Sequence, residues 1–412
     1  MKAEVISVGT ELLLGQIANT NAQEISQSLA AAGIDIHHHV VVGDNLERIV
    51  DVLRSASARS EVVIVTGGLG PTPDDITREA VSKLTRRPLV RDDDLARQIR
   101  AVFDRLGRDM PEENLRQADV PEGALPIPPE GTAPGFGVEH DGSLLFALPG
   151  VPWEMRAMLD KSVIPELRRR AGDAAIVSRE ILVMGLGESH THELIADIVG
   201  AQTNPTIAYL AGGGRVRVRL TAKASDDAAA IALIRPVEEE IRGRLGDAAV
   251  KGEGSELAGL VGELLRERGM TVAACESLTG GELAAQISAA GGSSDFFRGG
   301  FVTYATATKS DVAGVDDAIL KGPGSVSEDA AAAMAEAAAG AFGADLGLST
   351  TGVAGPAEQE GKPVGTVYVG ATLAGRTEVR KIRGYGDRAN IRAIASSAAL
   401  DLGRRLLLSE EG

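Results

Sequence analysis

Three side chains that could act as nucleophiles lie within five residues of one another. The stretch "TVAACESLTGGELAAQ" (271–286) holds Cys275, Ser277 and Thr279. A strand that ends in a turn of small residues and leads into a helix aims free backbone N–H groups at whatever lies above it. Cys275 completes the apolar strand and is expected to be buried and inert, and Thr279 with Glu282 fits a capping box. Ser277 has no such structural explanation, so it is the candidate nucleophile.

A serine nucleophile needs a base. All six histidines lie between residues 37 and 192, so the base is expected to be a lysine or a carboxylate. The segment "GGFVTYATATKSDVAG" offers Lys309 at the start of a helix and Tyr304 near the end of a strand. A lysine desolvated in a pocket can act as a base, so a Ser–Lys pair with Tyr304 as proton relay is chemically coherent. The alternative is that Lys309 is a surface lysine at a helix start.

A second glycine-rich junction ends in paired carboxylates. "VTGGLGPTPDDITREA" (65–80) contains Gly67, Gly68 and Gly70, which would let the backbone approach a phosphate. Asp74 and Asp75 could hold Mg²⁺ or a similar ion through oxygen ligands. The alternative is that both aspartates serve the N-terminus of a helix predicted to open near Asp74.

These groups must be positioned by alternating strands and helices. Strands over 4–9, 35–43 and 62–68, each followed by a helical pattern, predict a parallel sheet that binds ligands at its carboxyl ends. The pattern changes near 171–178, and a small α+β unit follows whose strand "RVRVRL" alternates cleanly. After the linker "KGEGSE" (251–256), a third part is again α/β. We therefore predict an α/β protein with three domains, residues 1–170, 171–251 and 252–412.

Composition restricts the partners. The net charge of -16 and the 3% of aromatic residues argue against nucleic-acid binding, and any phosphate site must be local. One cysteine excludes a disulfide framework, and Glu4 and Glu11 interrupt the first apolar stretch, which excludes a membrane span there. A cytoplasmic protein without membrane partners is expected.

Five segments of the third part match a known family in order. "ESLTGG", "GFVTY" followed by Lys309, "TGVAGP" (351–356), "KPVGTVYV" (362–369) and "GDR" (386–388) make it resemble the C-terminal domain of the competence/damage-inducible CinA family and the nicotinamide mononucleotide deamidases. The resemblance implies Ser277 as nucleophile, Lys309 as base and Tyr304 as its helper, without a cofactor. Many relatives carry Asn where this chain has Thr306.

The substrate would be held around this serine. Arg388 and Arg392, four apart on one helix face, suit a nucleotide phosphate, although a solvated helix face explains Arg392 nearly as well. The turn amides from Leu278 to Gly281 are expected to stabilise an oxyanion. The complete predicted set of substrate-binding residues here is Thr279, Gly280, Gly281, Thr351, Gly352, Arg388 and Arg392.

The first part also resembles this family. With "GTELLLGQIANTN" (9–21), "VGDN" (42–45) and "PGVPWEM" (149–155), the glycine-rich junction is similar to the molybdopterin-binding fold at the N-terminus of CinA proteins. The resemblance implies a metal-dependent ADP-ribose pyrophosphatase, with Gly67, Gly68 and Gly70 binding substrate. It adds Asp44 and Glu154 as candidate metal ligands beside Asp74 and Asp75, and the middle unit resembles the KH-like connecting domain.

The predicted function is that of a bifunctional hydrolase of pyridine-nucleotide salvage. One site would convert nicotinamide mononucleotide to nicotinic acid mononucleotide and ammonia, and the other would hydrolyse ADP-ribose with a divalent metal such as Mg²⁺. A homodimer is expected. The alternative is a protein without catalysis, either a nucleotide- or molybdopterin-binding protein or a scaffold associated with competence.

Overall fold

The structure of the chain is a computed structural model that describes residues 1–171, 175–252 and 256–409. It divides into two compact units, Met1–Val177 with Lys223–Ile231 and Ser178–Ala222 with Ala232–Gly412. Within the described residues, no helix has both the length and the apolar character that crossing a membrane requires.

The first part contains a mixed six-stranded sheet in the order β2-β1-β3-β8-β7-β6 and a two-stranded sheet of β4 and β5. The pairs β1–β2, β1–β3 and β3–β8 are parallel, and β7 pairs antiparallel with β8 and β6. The strands are β1 (Lys2–Val8), β2 (Asp35–Val42), β3 (Val62–Thr66), β4 (Leu89–Arg91), β5 (Asp119–Pro121), β6 (Leu125–Ile127), β7 (Gly135–His140) and β8 (Ser143–Leu148).

Helices cover both faces of the larger sheet. Its central strands β1, β3 and β8 are therefore buried along almost their whole length. The helices are α1 (Thr10–Leu13), α2 (Thr20–Ala31), α3 (Leu46–Ser57), α4 (Thr77–Thr85), α5 (Asp93–Arg105), α6 (Pro152–Met158) and α7 (Ile164–Ala171). A 3₁₀ segment spans Glu112–Ala118, and a π-helical segment at Leu159–Val163 joins α6 to α7.

The helix predicted to open near Asp74 opens three residues later. Asp75 accepts a hydrogen bond from the backbone N–H of Thr72 at 2.9 Å, which closes a turn ahead of the helix. Ile76 is the N-cap, with a non-helical φ of -121°. The two aspartates therefore lie in the loop and not in the first helical turn.

The middle part is the predicted small α+β unit, with a three-stranded sheet in the order β10-β11-β9. Its elements are β9 (Ala175–Met184), α8 (Glu188–Ala201), β10 (Thr206–Gly212), β11 (Arg215–Ala224) and α9 (Asp227–Leu245). The alternation predicted for "RVRVRL" is confirmed, since Val216, Val218 and Leu220 are buried while the arginines between them are partly exposed.

The third part contains a five-stranded sheet in the order β13-β12-β14-β15-β16. Its strands are β12 (Val272–Glu276), β13 (Phe297–Val302), β14 (Leu346–Gly352), β15 (Thr366–Leu373) and β16 (Arg376–Arg383). Its helices are α10 (Leu257–Glu267), α11 (Glu282–Ala289), α12 (Thr306–Asp311), α13 (Asp317–Lys321), α14 (Glu328–Phe342) and α15 (Arg388–Ser409). The predicted α/β class with three folded parts is thus confirmed, while the boundaries at 170/171 and 251/252 stay predictions.

An inner strand of the third sheet, β12, positions the candidate nucleophile. β12 pairs in parallel with both β13 and β14, with Glu276 opposite Val302 and Thr350. The carboxyl ends of these three strands therefore meet at one edge. The residues that follow them, including Ser277 and Thr303, are brought together there although they are far apart in sequence.

Candidate active sites

The turn after β12 is held by hydrogen bonds on both sides. The backbone N–H of Ser277 donates to the carbonyl of Thr350 at 2.9 Å. The buried carboxylate of Glu276 accepts from the N–H groups of Gly281, Leu283 and Ala284 at 2.9, 3.1 and 2.8 Å. Because these amides would otherwise be unpaired at the start of α11, Glu276 is the cap of that helix.

The capping box predicted for Thr279 and Glu282 is therefore wrong. Gly281 is the N-cap residue of α11, with φ of 99°, and as a glycine it has no side chain that could cap the helix. Thr279 is fully buried, and its hydroxyl lies 2.6 Å from that of Thr350. Thr279 shapes the turn, as expected, but by tying it to β14.

Lys309 lies against the candidate nucleophile. Its Nζ is 2.9 Å from Ser277 Oγ and donates to the carbonyl of Thr303 at 2.8 Å. The lysine is 1% exposed, so it is not the surface lysine of the alternative interpretation. Burial lowers the pKa of Lys309, and the nearby Cys275 and Glu360 oppose this shift. A neutral amine beside a serine hydroxyl is the arrangement that proton abstraction requires.

Cys275 lies in the core, as predicted. It is fully buried, with Sγ 3.6 Å from the hydroxyl of Thr303. Burial raises the pKa of the Cys275 thiol to about 11. A thiol protonated at neutral pH is a poor nucleophile.

In the turn predicted to stabilise an oxyanion, two backbone N–H groups already donate hydrogen bonds within the protein and two do not. The N–H of Gly280 donates to the carbonyl of Ser277, and that of Gly281 donates to Glu276. The amides of Leu278 and Thr279 have no acceptor among the residues that the structure describes. Of the expected range from Leu278 to Gly281, these first two are the amides available to a ligand.

Among the described residues, Tyr304 makes no hydrogen bond to the lysine that it was expected to assist. Its ring is 57% exposed, and its hydroxyl accepts a hydrogen bond from Arg388. In the described part of the chain, Lys309 Nζ has hydrogen-bond partners in Ser277 and Thr303 alone. The burial that shifts the pKa of Lys309 therefore does not come from a hydrogen-bonded Tyr304.

The two arginines predicted for a phosphate have different surroundings. Arg388 is exposed and donates to the carbonyl of Gly355 as well as to Tyr304. Arg392 donates to the carbonyl of Thr279 through Nε and Nη2 at 3.0 and 2.6 Å, with Glu282 at 3.6 Å. Arg392 therefore supports the turn after β12 and does not lie on a fully solvated helix face, while its contact with a phosphate stays a prediction.

The remaining predicted residues of this site lie at the end of β14 and in the turn. Thr351 is buried and donates its hydroxyl to the carbonyl of Ser325 at 2.6 Å. Gly352 lies against β15, where an added Cβ would be 2.6 Å from the carbonyl oxygen of Thr366. Gly280 has a φ of 59°, which favours glycine. Contacts of these three residues with a substrate stay predictions.

Sequence reasoning missed one residue near this site. Glu360 accepts hydrogen bonds from the N–H and hydroxyl of Ser325 and from the N–H of Val326, at 3.1, 2.6 and 3.2 Å. It thereby ties the loop after β14 to the residues ahead of α14. No motif or periodicity marks Glu360, since its partners are 34 and 35 residues away.

The predicted residues of the first part surround one cavity of about 380 Å³. The cavity is lined by Gly67, Gly68, Gly70, Asp44, Asp74, Asp75 and also by Glu11 and Glu154. Glu154 is 6% exposed, and burial raises its pKa against the effect of a hydrogen bond from the backbone of Thr132.

The glycines of this loop are required by the loop's own packing. Gly67 has a φ of +101°, and a Cβ there would lie 2.3 Å from the carbonyl oxygen of Val8. Gly68 has a φ of +66°, and a Cβ would lie 2.3 Å from the hydroxyl of Thr77. The loop therefore folds tightly onto β1 and α4, and its approach to a phosphate stays a prediction.

The acidic residues have oxygen chemistry suited to a hard divalent cation. One carboxylate oxygen of Asp44 accepts from the N–H and the hydroxyl of Thr10 at 2.9 and 2.8 Å, which fixes its orientation. Asp75 is held similarly by Thr72. The described residues contain no group of three His, Cys, Asp or Glu side chains placed to hold a metal together. The set fits a Mg²⁺ ion that takes one or two carboxylates and completes its shell with water and substrate phosphate.

Comparisons with known proteins give one answer for the three parts. The family model of a probable molybdopterin binding domain matches residues 4–169, that of the damage-inducible protein CinA KH domain matches 178–249, and that of the CinA C-terminal domain matches 254–407.

Relatives match along the whole chain. A CinA-like protein of Frankia casuarinae is 46% identical over 99% of this chain and 96% of its own. A protein of Clostridium beijerinckii, named as a competence-damage inducible protein, is 43% identical over 99% and 100% of the two chains. Among solved structures, that of the protein CinA from Thermoplasma acidophilum is 37% identical over 40% of this chain and 97% of its own, with a TM-score of 0.37. The chain therefore belongs to the CinA family of competence-damage inducible proteins.

Proposed function

We propose that the third part hydrolyses the carboxamide of nicotinamide mononucleotide and that the first part hydrolyses the pyrophosphate of ADP-ribose. The observation that carries the first activity is the buried amine of Lys309, 2.9 Å from Ser277 Oγ, at the edge where three strands end. This geometry favours an enzyme over a protein that only binds nucleotides or serves as a scaffold, because neither needs a lysine buried against a serine.

Acylation begins when Lys309 Nζ takes the proton of Ser277 Oγ. The oxygen attacks the carboxamide carbon, and the resulting oxyanion accepts hydrogen bonds from the amides of Leu278 and Thr279. The C–N bond then breaks, and the protonated Lys309 gives its proton to the departing nitrogen. The products of this half are ammonia and an ester between Ser277 and the nicotinoyl group.

In deacylation, water is the nucleophile and Ser277 Oγ is the leaving group. Lys309 accepts a proton from water, whose oxygen attacks the ester carbon, and then returns that proton to Ser277 Oγ as the C–O bond breaks. The second product is nicotinic acid mononucleotide. Every proton moves between groups of this chain, the substrate and water, so this reaction is proposed to need no cofactor.

Two features support the positioning of these groups. Arg392 and Thr350 fix the turn from opposite sides through the carbonyl of Thr279 and the N–H of Ser277. Arg388, exposed and next to the Gly-containing turn before α15, is the residue that we propose for the nucleotide phosphate. It also orders Tyr304, whose ring is then available to the substrate rather than to Lys309.

For the first part, Asp44, Asp74 and Asp75 would hold a divalent cation together with substrate phosphate. When bound, such an ion polarises the pyrophosphate and activates water. The loop Gly67–Gly70 would contact the phosphates through its backbone, and Glu154 lines the same cavity. The metal, both substrates, the cytoplasmic location and the homodimer all remain predictions of this proposal.

The test is ammonia release from nicotinamide mononucleotide, measured with and without divalent metal. Release that does not depend on metal and is lost in Ser277→Ala supports the proposal. No release from the folded wild-type protein under either condition contradicts it. ADP-ribose hydrolysis is measured on the same preparations, so the two activities are judged separately.

A further inference from the structure

A second cavity, of about 470 Å³, lies within the unit Ser178–Ala222 with Ala232–Gly412, and Ser277 is not among its lining residues. Its walls come from the turn between β9 and α8, from the β10–β11 hairpin, from β16 and from α15. The lining residues used below are Leu186, Arg215, Arg380, Arg383, Tyr385 and Ile394.

The two sides of this cavity are packed together through the hydrophobic core. Leu182 and Met184 at the end of β9 belong to the same buried cluster as Ile391 and Leu402 of α15. The turn of the β10–β11 hairpin rests directly on α15, since a Cβ at Gly214 would lie 3.3 Å from Cα of Ile394. The cavity is therefore formed by elements that pack on one another within this unit.

Three arginines line the cavity, and they are paired weakly. Arg380 is 3.5 Å from Asp401, and Arg215 is 3.6 Å from the exposed Glu256. Arg383 is exposed and has no hydrogen-bond or ion-pair partner among the described residues.

The carboxylates nearby do not cancel this charge. The buried Asp401 accepts hydrogen bonds from Arg404 at 2.7 Å and from Arg405 at 2.8 Å. Its carboxylate is therefore ion-paired mainly with two arginines that do not line the cavity. Glu188 is the one other carboxylate in the described lining. In a chain of net charge -16, an excess of arginine around one cavity marks a site for an anion.

The backbone adds donors to the same wall. The turn Gly185–Gly187 lines the cavity and leads into α8, which has fourteen residues and no side-chain cap. The first amides of such a helix favour a phosphate when cations are also present. Arginine supplies planar, charge-assisted hydrogen bonds to phosphate oxygens.

Apolar groups line the rest of the cavity. Tyr385 offers a ring that is 66% exposed, and Leu186 and Ile394 belong to the same lining. Cavities of about 300–1,000 Å³ take drug-sized or nucleotide-sized ligands. We infer that this cavity is a binding site for a phosphate-bearing small molecule of nucleotide size, with Arg215, Arg380 and Arg383 around the phosphates.

The test is calorimetric titration of the full-length protein with two probes, inorganic pyrophosphate and ADP. The test variant is Arg383→Ala combined with Arg215→Ala. Because charge-assisted hydrogen bonds to phosphate are stronger than those between neutral groups, we expect a loss of at least about tenfold in affinity. The matched control is Lys381→Ala, which removes an exposed positive charge two residues from Arg383 and outside the cavity lining. It should change the affinity by less than about twofold, an effect of about 0.4 kcal/mol.

Each outcome decides the inference. Equal weakening in the test and control variants, or no binding of either probe by the wild-type protein, overturns it. If thermal unfolding without ligand shows that the double variant is destabilised, the single variant Arg383→Ala is used, since Arg383 is exposed. Binding at the first part contributes equally to all variants and cannot produce a difference between them.

The two probes identify the source of the phosphate. Tighter binding of ADP than of pyrophosphate, lost in Tyr385→Leu, identifies a nucleotide as the ligand. Equal binding of both, with the same arginine dependence, identifies the phosphate groups alone as the ligand.

Discussion

Replacing Lys309 with arginine separates a base from a binding residue. Lys309 is 1% exposed and contacts Ser277 Oγ at 2.9 Å, so a guanidinium at this position places a fixed positive charge beside the serine. Arginine does not release a proton near neutral pH. If Lys309 is the base, Lys309→Arg should lose about 10²- to 10⁴-fold in turnover, the contribution expected of a general base.

The assay is ammonia release under saturating nicotinamide mononucleotide, with substrate binding measured separately by calorimetry. Because arginine is larger than the lysine that it replaces in a buried site, Lys309→Met serves as a second variant of similar length. Both should bind substrate within about threefold of the wild-type protein, since less than about 0.7 kcal/mol of binding is expected from the base. An arginine variant that keeps more than about a tenth of wild-type turnover would refute the assignment and move attention to a carboxylate.

The pH dependence of turnover gives an independent test of Lys309 as the base. Burial lowers the pKa of Lys309 below its ordinary value of 10.5, and the amine must be neutral to accept a proton. Turnover should therefore rise with pH and level off above the pKa of Lys309 in the folded protein. A turnover that falls as Lys309 loses its proton contradicts a role as base.

The stability of the protein should follow the same titration. Between the lowered pKa of folded Lys309 and 10.5, the unfolded chain binds more protons than the folded chain, so unfolding becomes less favourable as pH rises. Lys309→Met lacks this group. The free energy of unfolding of the wild-type protein should thus increase relative to that of Lys309→Met across this window, as measured by urea denaturation at several pH values.

Three further results are expected. Ser277→Ala should abolish deamidation and leave ADP-ribose hydrolysis intact. Cys275→Ala should keep most of the deamidase activity, because the Cys275 thiol that it removes is buried and has a pKa of about 11. Loss of deamidation in a folded Cys275→Ala variant would instead make Cys275 the nucleophile. Chelation with EDTA should stop ADP-ribose hydrolysis and spare deamidation, and a folded protein that loses both activities equally would argue against independent sites. Arg392→Leu should lower kcat at least about tenfold, or about 1.4 kcal/mol, with little change in KM, because the carbonyl of Thr279 loses its hydrogen bonds from Arg392. Arg388→Ala should mainly raise KM, because Arg388 is proposed to bind the phosphate. If steady-state kinetics show a raised KM for Arg392→Leu and a lowered kcat for Arg388→Ala, Arg392 binds the substrate and Arg388 supports the turn.

The local patterns of the sequence were sufficient for the elements and for placing Ser277 in the turn after β12. Apolar runs and glycine-containing turns predict the strand–turn–helix junction at Ser277 and the alternation of β11, because the periodicity of burial is a property of neighbouring residues. The same reasoning places Cys275 in the core. The family segments identify Lys309, but its burial and its contact with Ser277 join residues 32 apart in the chain.

Tertiary packing alone decided which polar groups support the site. Glu276, and not Thr279, caps α11, because the end of an inner strand carries that carboxylate into the start of the helix. Arg392 reaches back 113 residues to the carbonyl of Thr279, a contact that no spacing on its own helix predicts. Similarly, the arginines of the second cavity come from β11 and β16, two strands of different sheets that line one cavity because residues of the middle and third parts share a hydrophobic core. Hydrogen bonds and ion pairs of this kind depend on which strands and helices are neighbours in space, whereas the pattern of a single element records only whether each of its residues faces water or the core.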